Sequence, residues 1–131
     1  YYTKQEARSL ERAKVKKEEI QQQDRRFLSV FVESTNSVMI MLSEKEDKLG
    51  TLAIAVPKHD HIGQVTSSVL LGDKNIISAR MFAEYVASKT GKIAMVSVYL
   101  EKVGEIIAQE FFMYLIDKLI KAENQKEPTA I

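Results

Sequence analysis

The chain has 131 residues, of which 45% are hydrophobic and 28% charged, and its formal net charge is +1. This size and composition fit one globular domain, and the balanced charge gives no field that would attract nucleic acid. Cysteine is absent, which excludes disulfides, thiolate nucleophiles and cysteine metal sites. No apolar run approaches the roughly 20 residues that a membrane-spanning helix needs, so neither nucleic acid nor a membrane is expected as a partner.

The first 26 residues differ from the rest of the chain. They carry eight basic and five acidic residues, and their few apolar residues form no clean helical stripe. Because Glu, Lys, Arg and Gln favour helices, we expect residues 1–26 to form a charged extension that is helical or irregular. The alternative is a basic arm that binds RNA or an acidic protein surface, but the interspersed acids and the scarcity of aromatic residues argue against RNA.

Three apolar segments follow, at residues 27–32, 38–42 and 52–56, with short polar segments between them. Their composition predicts three strands, and their short connections predict an antiparallel meander. In the third strand, Ala53 and Ala55 alternate with bulky residues, which predicts one face that a helix can approach closely. Residues 65–71 are expected to form an edge strand or an ordered loop that ends at the turn pair Gly72-Asp73.

Two helices are predicted in the second half of the chain. The first spans residues 79–90, with Ser78 as its N-cap and Gly91 at a left-handed C-cap. A strand at residues 93–100 separates it from a second helix at residues 103–122, and residues 123–131 form a polar tail. The predicted fold is a single α+β domain at residues 27–122, an antiparallel sheet with two helices packed on it.

The strands at residues 38–42 and 93–100 are apolar on both faces, whereas a sheet with one wet face would alternate. Two helices cover only one face, so we expect a partner chain to cover the other face, or the surplus apolar side of the last helix. The candidate interface residues are Met39, Met41, Leu70, Leu71, Gly72, Asp73, Phe112, Leu115 and Ile116.

Catalytic chemistry has weak support in this sequence. His59 and His61 flank Asp60, but a tight metal site would need carboxylates from elsewhere, so a solvated polar loop is the preferred interpretation and a small metal-dependent hydrolase the alternative. Residues 89–92 resemble part of a phosphate-binding loop, but they end a helix instead of starting one, which reverses the helix dipole. We therefore expect no enzyme activity, no cofactor and no metal.

Several segments together resemble the proteasome assembly chaperone 4 family. They are Asn36-Ser37 before an apolar strand, Leu52-Ala53-Ile54-Ala55, Ser67-Ser68-x-Leu70-Leu71-Gly72-Asp73, Ala87-Ser88-Lys89-Thr90-Gly91-Lys92, and Val96-Ser97-Val98 with Leu100. The resemblance lies in their order and spacing, with Leu70-Leu71-Gly72-Asp73 the sharpest element, and it covers residues 27–120. Residues 1–26 do not resemble the opening strand of that family well.

The resemblance implies a non-catalytic chaperone with an antiparallel sheet flanked by helices. Such a chaperone forms a heterodimer with its sister, proteasome assembly chaperone 3. The pair then holds an α-type subunit, the fifth, while the α-ring of the 20S core particle assembles. It also implies a cytoplasmic location, with the nucleus as a second compartment. The alternative is a homodimeric scaffold of the roadblock or longin type.

Overall fold

The computed structural model describes residues 12–58 and 65–126, with side chains to residue 121. The elements in chain order are β1 (Lys14–Gln22), β2 (Arg25–Glu33), β3 (Ser37–Glu44), β4 (Thr51–Pro57), β5 (Val65–Leu71), α1 (Ile76–Thr90), β6 (Ile93–Tyr99) and α2 (Glu105–Lys126). The strands form one six-stranded sheet in the order β1-β2-β3-β6-β4-β5. The predicted α+β class, a largely antiparallel sheet with two helices packed on it, is therefore confirmed.

The predicted meander is wrong in one respect, because β6 lies between β3 and β4 and runs parallel to β3. A connection at residues 45–50 can span roughly 20 Å when extended, whereas skipping one strand needs only about 10 Å. A short loop therefore does not force two strands to be neighbours. The apolar character of β6 on both faces fits its central position in the sheet.

The expectation of a helical or irregular segment before residue 27 is wrong for residues 14–26. Residues 14–22 form β1, which pairs with β2 in register from Lys14 opposite Glu33 to Gln22 opposite Arg25. Ion pairs reinforce this charged edge strand, since Arg26 contacts Glu19 and Lys118 contacts Glu18, each at 3.2 Å. Backbone pairing with the apolar strand β2 thus overrides the helical preference of the side chains.

One hydrophobic core lies between the sheet and the two helices. Its largest fully buried side chains include Phe27 and Phe31 from β2, Phe82 from α1 and Phe112 from α2. The small side chains Ala53 and Ala55 are fully buried where α1 packs on β4, as their alternation with bulky residues predicts. The strand residues among these large buried side chains all lie on one face of the sheet, the face that the two helices cover.

Helix α1 begins earlier than predicted, at Ile76, and Ser78 is not its N-cap. The N-cap is Asn75, which is left-handed and makes no side-chain cap hydrogen bond. Ser78 lies inside the first turn, where its N–H and its hydroxyl both donate to Glu105 Oε2, at 2.9 and 2.6 Å. The carboxylate of the following helix thus caps α1. At the other end, Gly91 is left-handed and bonds Ala87 O at 2.9 Å, as predicted.

Helix α2 continues to Lys126, four residues beyond its predicted end, so the first part of the predicted tail is helical. The two helices are joined by a hydrogen bond from the Tyr85 hydroxyl to Asp117 Oδ1 at 2.5 Å. This bond, with burial and the negative charge of Asp117, raises the pKa of Tyr85 to about 12. The two helices are thus linked by polar contacts at both Ser78 and Tyr85.

Replacing Tyr85 with phenylalanine is expected to lower the free energy of unfolding by about 1 kcal/mol at neutral pH, the usual net value of one hydrogen bond. Because the pKa is raised in the folded state, this contribution is complete below about pH 10 and is lost as the pH rises through about 12. Urea unfolding at neutral and alkaline pH measures both effects. The matched control is Tyr114→Phe on the exposed side of α2, which should change stability by less than about 0.5 kcal/mol.

Candidate protein interface

Both helices cover the same face of the sheet. Helix α1 packs on β4, β5 and β6, and α2 packs on β1 and β2. Since side chains alternate along a strand, the residues between the core positions point to the opposite face, called here the open face. Its apolar members include Val15, Leu28, Val30, Val32, Met39, Met41, Leu52, Ile54, Val56, Ile93 and Met95. No described element of the chain packs over the middle of this face.

One row of opposed residues crosses all six strands of the open face. From β1 to β5 it consists of Val15, Val32, Met39, Met95, Ile54 and Ser68. With neighbouring strands about 4.8 Å apart, this row is roughly 24 Å long. Met39 lies near its centre and is 45% exposed. All members except Ser68 are apolar, and an apolar row of roughly 19 Å on a surface is typical of a protein–protein contact.

One end of the open face is closed by the loop at residues 45–50. The Gly50 N–H donates to Ser97 Oγ at 2.9 Å, and Ser97 is only 2% exposed although it belongs to this face. Ser43 Oγ donates to Lys48 O and accepts from Lys48 N–H, both at 3.0 Å. A Cβ on Gly50 would lie 2.1 Å from Val98 O, so this close approach requires glycine. The polar groups at this end are therefore bonded within the chain.

Glu44, the last residue of β3, holds the segment before α2. Its Oε1 accepts backbone N–H bonds from Glu101, Lys102 and Val103 at 2.8, 3.0 and 3.1 Å. Burial raises the pKa of the Glu44 carboxyl, but the three backbone donors together outweigh it and leave the pKa below its usual value. Glu44 is therefore a buried carboxylate that fixes the position of α2.

Six of the nine candidate interface residues lie on the surface or on the open face. Met39 and Met41 lie on the open face, with Met41 half-buried. Leu70 and Leu71 are exposed at the end of β5, and the turn at residues 72–73 after them is exposed as well. These positions are accessible to a partner, and their role in binding stays a prediction.

The other three candidates, Phe112, Leu115 and Ile116, are withdrawn from the interface. They are at most 1% exposed and form part of the core. The Phe112 ring packs edge-on against Phe27 and Phe82, with ring centroids 5.5 and 6.3 Å apart. The surplus apolar side of α2 is thus buried by β2 and α1 of the same chain, and no partner is needed to cover it.

Two further isoleucines, one at the start of each helix, are exposed without having been predicted as surface residues. Ile77 and Ile106 are 73% and 83% exposed, and each is a chain neighbour of the Ser78–Glu105 contact that joins the two helix starts. Ile106 is out of phase with the buried stripe of α2, which contains Ala108, Phe112, Leu115 and Leu119. That phase difference is the sequence signal that could have marked it as a surface residue.

The His59-Asp60-His61 segment lies outside the described residues, so its predicted behaviour stays a prediction. Within residues 12–58 and 65–126, no group of three or more His, Asp or Glu side chains is arranged to hold a metal ion. Neither described helix combines the length and hydropathy that crossing a membrane would require.

Neither a protein-family model nor a curated protein matches this chain. Among solved structures, the fold is similar to that of a chain in the crystal structure of a novel chaperone complex for yeast 20S proteasome assembly. The TM-score is 0.65 and the sequence identity 15%, and the match covers 86% of this chain and 96% of that chain. The two chains therefore share an overall fold over nearly their full lengths.

Proposed function

We propose that this chain is a non-catalytic proteasome assembly chaperone. In this proposal it forms a heterodimer with a sister chaperone of the proteasome assembly chaperone 3 type. The pair then holds an α-type subunit, the fifth, during assembly of the 20S α-ring in the cytoplasm or nucleus. The observation that carries the proposal is the open face, where an apolar row crosses the sheet without a covering element from the described chain.

Two further observations support a partner of similar architecture on this face. Two sheets can pack face to face about 10 Å apart, with interdigitating side chains, and the flexible side chains of Met39, Met41 and Met95 can adapt to a different surface. The likeness in fold to a chain of a yeast 20S proteasome assembly chaperone complex makes a sister chaperone the first choice of partner. The sequence resemblance to the proteasome assembly chaperone 4 family supports the same choice.

The test is co-purification of the tagged chain with its partners, followed by native mass spectrometry. We expect to recover a sister chaperone and an α-type subunit. Met39→Asp should abolish recovery of the sister, because burying an unpaired carboxylate in an apolar contact is strongly unfavourable. Tyr114→Asp is the matched control, since it adds the same charge at an exposed position on α2 and should leave recovery unchanged.

Two results would contradict the proposal. Recovery of neither protein with the wild-type chain would exclude the chaperone function. A stable homodimer that Met39→Asp disrupts, with no sister bound, would instead support a homodimeric scaffold of the roadblock or longin type.

A further inference from the structure

The two edges of the sheet differ sharply in charge. Edge strands expose unpaired backbone groups, and proteins commonly protect them with charged residues or proline. Strand β1 has five charged residues among its nine, whereas the seven residues of β5 include neither a charged residue nor a proline. In the described part of the chain, nothing pairs with the outer side of β5. The β5 edge is therefore open to pairing with another strand.

The regular part of β5 ends before the strand does. From Val65 to Val69 the pairing with β4 is continuous, and a register shift then falls opposite Leu52 and Ala53, which leaves Leu70 as the extra residue. A bulge of this kind bends a strand and ends regular pairing. The five residues 65–69 therefore form the usable edge, and Ser67 is at its centre.

One basic and one acidic side chain of α1 both bond to the Ser67 hydroxyl. The Ser67 hydroxyl donates to Glu84 Oε2 and accepts from Arg80 Nε at 3.1 Å. Arg80 and Glu84 are one turn apart on α1, so Ser67 lies between a cation on one side and an anion on the other. A two-fold axis through Ser67 would therefore bring Arg80 of one copy opposite Glu84 of the other.

We propose that the β5 edge pairs with β5 of a second copy of this chain, antiparallel and centred on Ser67. This joins the two sheets into one continuous sheet. Val65 then faces Val69 of the second copy on the helix side, and Thr66 faces Ser68 on the open-face side. A second copy is a suitable partner for this edge because it offers an uncharged strand with an unpaired outer side. Its Arg80 and Glu84 would also lie opposite Glu84 and Arg80 of the first copy. The pairing leaves the open face free and is independent of the proposed function.

The expected spacing fits these contacts. Helix α1 packs on β4, β5 and β6, and the two β4 strands would be three strand spacings apart, roughly 14 Å. Helices that pack directly are about 8–10 Å apart, so the two α1 helices would not touch. Only long side chains such as Arg80 and Glu84 would bridge the gap. A small, partly polar contact of this kind is expected to give a weak, concentration-dependent dimer.

Cysteine cross-linking tests both the pairing and its register, because the native chain has no cysteine. Directly opposed residues of an antiparallel pair have Cα atoms about 4.5–5.5 Å apart, within disulfide range, whereas diagonal neighbours are about 7–8 Å apart. Full-length Thr66→Cys and Ser68→Cys, carrying tags of different mass, are mixed and oxidised with diamide. The mixed disulfide should form at least about tenfold faster than either self-disulfide, and Gln21→Cys on β1 should form none with either variant.

Self-disulfides that form as fast as the mixed one would overturn the register, and absence of any disulfide would overturn the pairing. A second measurement does not rely on cysteine. Arg80→Glu and Glu84→Arg should each sediment as monomers, because each places like charges across the axis. Their mixture should form dimers, since positions 80 and 84 of one variant would then face the opposite charge on the other variant. A mixture that stays monomeric would contradict the proposed arrangement of charges.

Discussion

Replacing Phe112 with alanine is expected to lower the free energy of unfolding by about 3 to 5 kcal/mol, the usual range for a buried phenylalanine. The reason is its position at the junction of three elements. Its ring packs edge-on against Phe27 from β2 and Phe82 from α1, and it is 1% exposed. Removing the ring leaves a cavity that the sheet and the helices cannot close without moving. Urea unfolding of the purified chain measures the loss as a lower midpoint.

The control for Phe112→Ala is Met39→Ala on the open face. Met39 is partly exposed, so its truncation should change the stability of the isolated chain by less than about 1 kcal/mol. The same substitution should weaken binding of a partner on the open face. Equal losses of stability in the two variants would contradict the assignment of Phe112 to the core and Met39 to the interface.

The sequence predicts the open face because two strands lack a polar side. In β3, Val38, Ile40 and Leu42 face the core, while Met39 and Met41 face outward. An alternating strand would have shown polar residues at the outward positions. The sequence therefore indicates that both faces of the sheet are apolar. Because the two predicted helices can cover only one face, the other face is expected to remain uncovered by this chain. This inference needs no knowledge of the strand order.

The sequence does not predict the strand order or β1, and the reasons are physical. Charged residues are acceptable on an edge strand, so residues 14–22 have neither the apolar alternation nor the β-branched content that identify a strand. The turn after β1 is formed by Gln23 and Asp24, with Gln23 at a φ of 56°. It lacks the Asn-Gly or Asp-Gly pair that usually indicates a two-residue hairpin.

The spacing of apolar residues along α2 does not predict which side of the helix faces the core. From Phe111 to Ile116 apolar residues surround the helix, so the sequence offers several sides for burial. The structure buries Phe112, Leu115 and Ile116 and exposes Tyr114. The rotation of the helix is set by its contacts with Phe27 and Phe82, which come from distant parts of the chain. Interface residues predicted from surplus hydrophobicity alone are therefore unreliable on such a helix.

Replacing Glu44 with alanine is expected to lower the free energy of unfolding by about 3 kcal/mol, because three backbone N–H donors lose the buried charged acceptor that they share. Glu44→Gln keeps an acceptor oxygen but removes the charge, so about half of that loss is expected. Glu46→Ala is the matched control, since Glu46 is an exposed glutamate two residues further along, and it should change little. Urea unfolding at neutral pH should give the order alanine, glutamine, wild type, from least to most stable.

The pH dependence of the stability of these variants distinguishes the effect of the Glu44 charge from the effect of the side chain's shape. The pKa of Glu44 is lowered in the folded chain, so its contribution is complete above the unfolded pKa of about 4.3 and is lost as the pH falls through the folded value. The stability gap between wild type and Glu44→Gln should therefore be constant from about pH 7 to pH 5 and narrow below that. The other carboxyl groups are common to wild type and Glu44→Gln, so their contributions cancel in the difference between the two free energies of unfolding. A gap that widens on acidification would mean that the protonated carboxyl, not the carboxylate, holds the segment from Glu101 to Val103.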